Sequence, residues 1–356
     1  VLDFFNNDTF SAVSMTRHVN VQPHVPTRIG EMDLFGDRVN GTTIESRMNS
    51  AATNGVDSDV VVVTSEDGKL MILPTEARGA MPTYNQPDNV KKRSFQVPHI
   101  PKLDELVWDK IIGKRIYGQQ ANGQTSQESI AAAVDRKLTK IVKEHYLTWE
   151  YHRLGALKGV ILDADGEQIV YDLFKEFGIQ KKTVTYGTMS LAEVSNAIVE
   201  HVGDVLGAEQ GQGVHCFVGK DFFDAVRDDA AVNTAFERWK EGQHLRTSYQ
   251  TGMYKMGEAP MNFHYEGVTY ERYRGKLNSG SSLIADDKGH AFPIGTDRFF
   301  RSNAPGTVQD AVGTLGLPMY IERAPKRFNT GVDFFSQSNP LMMCSQPDLL
   351  VELTVE

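Results

Sequence analysis

Cysteine is almost missing from this sequence. Cys216 and Cys344 are the only two in 356 residues, and neither sits in a CxxC motif or a Cys/His cluster. That excludes a zinc ribbon and a disulfide framework. Both thiols read as small buried apolar side chains of a reducing compartment. Long apolar runs are missing too. Nothing approaches the roughly 18 residues that cross a bilayer as a helix, so no membrane is expected among the partners. Residues 1–20 lack the apolar core of a secretory leader. Catalytic signatures are equally absent: there is no GxSxG elbow, no HExxH pair and no GxxxxGK[ST] loop. The glycines from Gly203 to Gly213 follow a helical pattern instead of a strand, which is the wrong order for a dinucleotide fingerprint. His145 and His152 are spaced for one helix face, but no third ligand completes a metal site, and His145 reads as a packed core residue. Asp228-Asp229 and Asp286-Asp287 fall where aspartate serves turns. No catalytic, cofactor-binding or metal-ligating residue is therefore expected.

What is present is ordinary globular composition, with 40% hydrophobic and 23% charged residues, and a length that suits two or three compact units. The net charge of -9 is unevenly spread. Residues 1–90 carry 6 basic and 12 acidic groups, residues 91–160 carry 13 and 7, and residues 161–356 carry 18 and 27. An acidic chain thus holds one basic stretch in its middle. That stretch is either a solvated helix face or a surface for a polyanion or an acidic neighbour. A dedicated DNA-reading domain would be basic overall, and this chain is not.

Residues 1–40 read as an arm. Phe4, Phe5 and Phe10 fit neither a long helix nor a strand, and so much aromatic surface must be buried on the chain's own body or on another subunit. Val60–Thr64 is a β-branched run. Glu66-Asp67-Gly68 predicts a tight turn after it, with Leu70–Leu73 as the return strand. A short helix is expected from Leu103 to about Ile112. A long one starts near Thr125, where Thr125 and Glu128 match a capping box. Its stripe of Ile130, Val134, Leu138, Ile141, His145 and Trp149 continues to about Leu154. Lys137, Lys140 and Lys143 lie off that stripe. A second hairpin follows, with Val160–Leu162 out, Asp163-Ala164-Asp165-Gly166 turning and Gln168–Phe174 returning. Its glycine falls too early for a calcium loop. From Leu191 the chain alternates helix and strand. The helix Leu191–Val205, the strand Val214–Val218, the short helices Phe222–Val226 and Val232–Trp239, and a hairpin around Gly267 are expected. Residues 319–356 add further strand.

The order of several short motifs resembles the tailed-phage major capsid proteins related to lambda capsid protein E. The arm Phe10-Ser11-Ala12-Val13-Ser14-Met15-Thr16 with Val25-Pro26 carries part of the likeness. Gly68–Thr75 with Ala77-Arg78-Gly79 carries more. Its most specific part is Arg153-Leu154-Gly155-Ala156-Leu157-Lys158-Gly159, running into Asp163–Gly166 and Glu176-Phe177-Gly178. Gly219–Phe223 and Pro347–Leu350 also match. The resemblance implies an α+β fold of the Hong Kong 97 capsid type. Its parts would be an N-terminal arm (1–40), an extended β-hairpin loop (41–90), a peripheral domain (91–189) with a spine helix (126–154), an axial domain (190–318) and a C-terminal return (319–356). It implies self-assembly, as pentamers and hexamers, into the icosahedral head shell of a virion assembled in the host bacterial cytoplasm. The shell would enclose double-stranded DNA without sequence specificity. Scaffolding, portal and decoration proteins are the further partners implied, with no cofactor and no catalysis. Inter-subunit contacts are expected from Phe4, Phe5, Phe10, Val62, Asp67, Lys69 and Leu70. Lys137, Lys140 and Lys143 would face DNA or an acidic neighbour. Hinges are expected at Gly178–Gly187 and Gly313–Pro318. An encapsulin-like compartment and a soluble α/β enzyme are the alternatives.

Overall fold

A computed structural model describes residues 55–66, 90–109, 126–207, 211–228, 234, 262–276, 280, 282–296 and 298–355. Helices and strands mix throughout, an α+β arrangement. In chain order, strands β1 (Val60–Glu66), β2 (Val90–Gln96) and β3 (Ile100–Val107) precede the long helix α1 (Ser126–Lys158). Then come β4 (Val160–Leu162), β5 (Ile169–Asp172), helix α2 (Leu173–Phe177), β6 (Lys182–Tyr186), helix α3 (Leu191–Leu206), β7 (Gly213–Val218) and helix α4 (Lys220–Asp228). The strands described after it are β8 (Asn262–Tyr265), β9 (Val268–Arg272), β10 (Lys288–Ile294), β11 (Phe299–Asn303), β12 (Tyr320–Pro325), β13 (Gly331–Ser338), β14 (Pro340–Cys344) and β15 (Val351–Val355).

Helix α1 forms because its 33 residues hold no proline and a single glycine, Gly155. It runs four residues beyond the expected Leu154. Its apolar stripe is where the spacing puts it: Ile141, His145 and Trp149 are buried, and Leu138 is half-buried against the same core. From Trp149 on, nearly every residue is buried, because the helix end is enclosed on all sides. Two glycines make that possible. A Cβ on Gly155 would lie 3.0 Å from Ile161 Cα, so helix and β4 touch backbone to backbone. Gly159 ends the helix at φ +76°, and a Cβ there would collide with the Phe174 ring.

Two layers lie on α1. The six-stranded sheet has the order β6-β15-β10-β7-β9-β8, with β15 parallel to β6 and β9 parallel to β7. One face, with Val214, Cys216, Val218, Val351 and Leu353, packs on α3 and α4. The opposite face, with Phe217 and Phe292, meets Trp149, Leu154, Phe299 and Met342 in a second core. This sheet takes β6 from before residue 189 and β15 from after residue 318, so its strands come from both sides of the borders expected there. The second layer is the three-stranded sheet β12-β13-β3.

Two local expectations change, and β1 has a partner the local sequence does not announce. The segment from Leu103 is strand as far as Val107, paired antiparallel with β13 from Ile100↔Ser338 to Val107↔Gly331. Leu106 and Val107 fit a helical spacing, but Leu103 is 73% exposed and burial alternates with period two. Lys102 and Asp104 point inward to ionic partners on α1, which an apolar pattern cannot foresee. Pro101 is tolerated because β3 is an edge strand. Next, β1 pairs with β2, Val60 opposite Gln96 and Glu66 opposite Val90. The Asp67-Gly68 turn and the Leu70–Leu73 run lie outside the described residues, as do the Thr125 cap and all but one residue of the Val232–Trp239 helix. Finally, the return of the second hairpin is a strand only to Asp172. Asp172 Oδ1 then accepts from Lys175 N at 3.3 Å and caps α2.

Candidate functional site

The chemistry of this molecule is concentrated where α1 meets the two sheets. His145 is 3% exposed, with Nδ1 3.0 Å from Ser338 Oγ and Nε2 3.0 Å from Ser336 Oγ. Trp149 Nε1–H donates to Ser338 Oγ at 3.2 Å, and Ser336 Oγ–H donates to the Lys102 carbonyl at 3.4 Å. These bonds close around a neutral ring. Ser338 accepts from Trp149 and donates to Nδ1; Nε2–H donates to Ser336, which donates to Lys102. A neutral imidazole with its proton on Nε2 satisfies each of these bonds, an assignment made from the network. A second ring proton would aim two donors at Ser338. Burial, reinforced by the Lys102 ammonium, pushes His145 down to about 4.

Further along α1 the junction becomes ionic. Arg153 Nη1 lies 3.5 Å from Glu150 Oε2, both buried, and Tyr273 Oη donates to Glu150 Oε1 at 3.4 Å. Beside them His215 Nε2 is 3.2 Å from Glu271 Oε2. Lys158 Nζ donates to the Leu283 carbonyl at 2.6 Å, and burial together with nearby Lys181 brings its ammonium down to about 8. Glu352 takes Lys288 at 2.7 Å and also Lys181. Burial alone would raise the Glu352 carboxyl, but hydrogen bonds from those two lysines hold it below the usual range. His290, buried beside Lys158, is pushed down to about 3. No apolar periodicity announces this junction. Its only sequence signal is a set of charged residues inside otherwise buried runs, Glu150 and Arg153 among them.

Lys137, Lys140 and Lys143 fall on α1 but do not act as one group. Lys137 pairs with Asp104 of β3 at 2.5 Å. Lys102 pairs with Glu144, which also lies 3.9 Å from Lys140. Arg136, Thr139, Lys140 and Lys143 share the helix's solvent face and line a shallow depression with Asp135. The Asp163–Gly166 segment is a backbone turn: Gly166 N bonds Asp163 O at 2.9 Å, and Asp165 Oδ1 accepts from Glu167 N at 2.9 Å and Gln168 N at 3.0 Å. Among the described residues no three His, Cys, Asp or Glu side chains converge as a metal site would require. Both cysteines are buried and their thiols raised by that burial, Cys344 to about 12.

Of the expected contact residues, Phe4, Phe5, Phe10, Asp67, Lys69 and Leu70 lie outside the described residues. Val62 is described. The β1–β2 ribbon buries Val61, Val63 and Phe95 toward α2 and leaves Val62 57% exposed on its other face. Phe95 stacks on Phe177 at 6.1 Å, and Arg93 lies 4.6 Å over the same ring. No sequence pattern marks two further exposed apolar sites. Phe328, at the tip between β12 and β13, is 83% exposed with φ +63°, and Val312 is 79% exposed in the loop before β12. A left-handed backbone at a bulky residue costs about 1–2 kcal/mol, and hydropathy carries no trace of it.

Comparison with known proteins shows one family. The family described as phage major capsid protein E matches residues 11–355. The major capsid protein of Salmonella phage Felix O1 is 27% identical over 301 residues, spanning 76% of this chain and 80% of that protein. The major capsid protein of Pseudomonas phage KPP10 is 24% identical over 297 residues, spanning 77% and 81%. Among solved structures, the capsid asymmetric unit of cyanophage A-1(L) has a TM-score of 0.43 at 10% identity, covering 89% of this chain and 94% of that one.

Proposed function

The chain belongs to the phage major capsid protein E family, and from that premise we propose that it builds the icosahedral head shell of a tailed phage from pentamers and hexamers of itself. The match over residues 11–355 carries this reading. We assign it the Hong Kong 97 type of division. The three-stranded sheet and α1 form the peripheral part, and the six-stranded sheet with α3 and α4 forms the axial part around the five- and six-fold axes. The β1–β2 ribbon is the root of the extended loop, and residues 1–40 are the arm. Arm and loop drape over neighbouring subunits and bury apolar surface that a monomer leaves wet, with Val62 on the contacting face. Interfaces of that kind run above about 2,000 Å². One sequence in two rings requires bending, for which Gly178–Gly187 and Gly313–Pro318 are the hinges.

The role is structural, with no cofactor. The shell, assembled in the host cytoplasm, holds double-stranded DNA without reading its sequence. Scaffolding, portal and decoration proteins are its further partners. Lys140 and Lys143 remain available to face DNA or an acidic neighbour, while Lys137 serves the fold. Negative-stain microscopy and sedimentation of the expressed chain test the reading. Uniform closed shells are expected; a chain that stays monomeric at high concentration overturns it.

A further inference from the structure

Resting on the reading of this chain as a self-assembling subunit, we propose that the β12–β13 tip is a plug. Phe328 would seat on the Val312–Leu315 loop of a second copy, with Arg327 against that copy's Asp310.

The tip is built to display its aromatic ring. Lys326 N bonds Gly331 O at 2.9 Å and Asn329 N bonds Lys326 O at 2.9 Å, closing a short loop. Within it Phe328 and Asn329 are both left-handed, φ +63° and +53°. Asparagine tolerates that backbone, whereas phenylalanine does not. The strain brings no burial in the lone chain, since the ring is 83% exposed with the Arg327 guanidinium 5.0 Å over it. Among the described residues Arg327 has no ion-pair partner, while its neighbour Lys326 holds Glu105 and Asp333. An exposed, strained cation–aromatic pair fits the composition of an interface anchor.

The proposed receptor is the loop before β12. Val312 and Leu315 are 79% and 52% exposed, and Asp310 beside them is exposed. Beneath them three hydrogen bonds shape the loop: Ala311 N bonds Val308 O at 3.0 Å, Thr314 Oγ1 donates to Ala311 O at 2.9 Å, and Leu317 N donates to Tyr320 Oη at 2.9 Å. Val308, Ala311 and Tyr320 form a small core of their own under it. Aliphatic surface beside a carboxylate complements an aromatic ring beside a guanidinium.

Strand β12 separates the two sites. It begins at Tyr320, just after the receptor loop, and ends at Pro325, just before the tip. Six residues of strand span about 20 Å, so one chain cannot join its own plug to its own receptor loop. A second copy can. Distinct, complementary patches at two ends of one rigid strand produce head-to-tail contacts, the kind that closes into rings.

The test uses the full chain, its concentration threshold for shell formation followed by light scattering and sedimentation, and its thermal midpoint before assembly. Phe328→Asn relieves the backbone and removes the ring. The midpoint should rise while the threshold rises by at least about tenfold. Arg327→Glu should raise the threshold similarly, and adding Asp310→Arg should restore it. Unchanged assembly by Phe328→Asn, or failure of Asp310→Arg to rescue Arg327→Glu, overturns the plug while leaving the shell reading intact. Absence of shells from the wild-type chain overturns both.

Discussion

Acidification should loosen the joint between α1 and the three-stranded sheet before it affects most other contacts. The cause is His145, held neutral by burial and by the nearby Lys102 ammonium, and hydrogen-bonded to Ser336 and Ser338. Its folded pKa of about 4 lies below the ordinary 6.5. The unfolded chain therefore binds this proton first as pH falls, so the stabilisation is complete above 6.5 and is lost between 6.5 and about 4. Each tenfold difference in proton affinity between the two states is worth about 1.36 kcal/mol, so the loss attributable to His145 is about 3 kcal/mol. That is a large part of the ~5–15 kcal/mol typical of a domain. His290, pushed down to about 3, adds to the same slope. The carboxyls of Asp104 and Glu352, held low by their lysines, matter at more acid pH. Comparison with His145→Gln isolates the one group, because the others titrate alike in both proteins. The assay is urea unfolding of disassembled subunits at pH 7.5, 6, 5 and 4. Wild type should lose about 3 kcal/mol more than the variant across that range. Coincident pH slopes would refute the neutral, buried histidine.

Gly159→Ala forces a side chain into the Phe174 ring at a left-handed residue. It should cost about 2–4 kcal/mol in thermal unfolding. Gly178→Ala, at φ +69° with nothing within 4 Å, bears only the backbone part and should cost about 1 kcal/mol; equal losses would show that the close approach is not real. Lys137→Glu should destabilise the subunit by setting like charges at Asp104. The pair Lys140→Glu and Lys143→Glu should lower the unfolding midpoint only slightly, through the like charge at Glu144, yet alter packaged genome length or particle stability, measured on purified particles. If neither quantity moves, that face meets neither DNA nor an acidic neighbour. Deleting residues 1–20 should abolish shells in negative stain, and normal particles would refute the arm's role.

The sequence is most legible where one period dominates. The α1 stripe, the helix from Leu191, the strand Val214–Val218 and the hairpin at Gly267 each combine a clear alternation with a turn or cap, and they stand where expected. The motif Arg153–Gly159 is legible as a likeness, and the structure supplies its physics. Gly155 and Gly159 let β4 and Phe174 touch the helix, while Arg153 and Lys158 carry charge into the junction. What stays hidden depends on partners distant in sequence. Nothing local tells Lys102 and Asp104 that α1 will neutralise them, so β3 resembles a helix. Nothing near Val60 names Val90–Gln96 as its partner across a long connection. The backbone strain at Phe328 is likewise invisible to hydropathy.

The basic centre of this acidic chain illustrates how a charge sum conceals its use. Residues 91–160 carry an excess of six positive charges, which invites a polyanion-binding face. Many of the segment's positive charges are nonetheless engaged inside the subunit. Arg93 lies over Phe177, Lys102 and Lys137 hold β3 to α1, Arg153 meets Glu150, and Lys158 binds a backbone carbonyl. Several of these groups are buried or half-buried, where pairing is required because an unpaired charge would cost several kcal/mol. Outward on α1 there remain Arg136, Lys140 and Lys143, with Asp135 among them. Such a face can attract a phosphate backbone without enough charge to hold it tightly, since affinity for DNA grows with each phosphate neutralised.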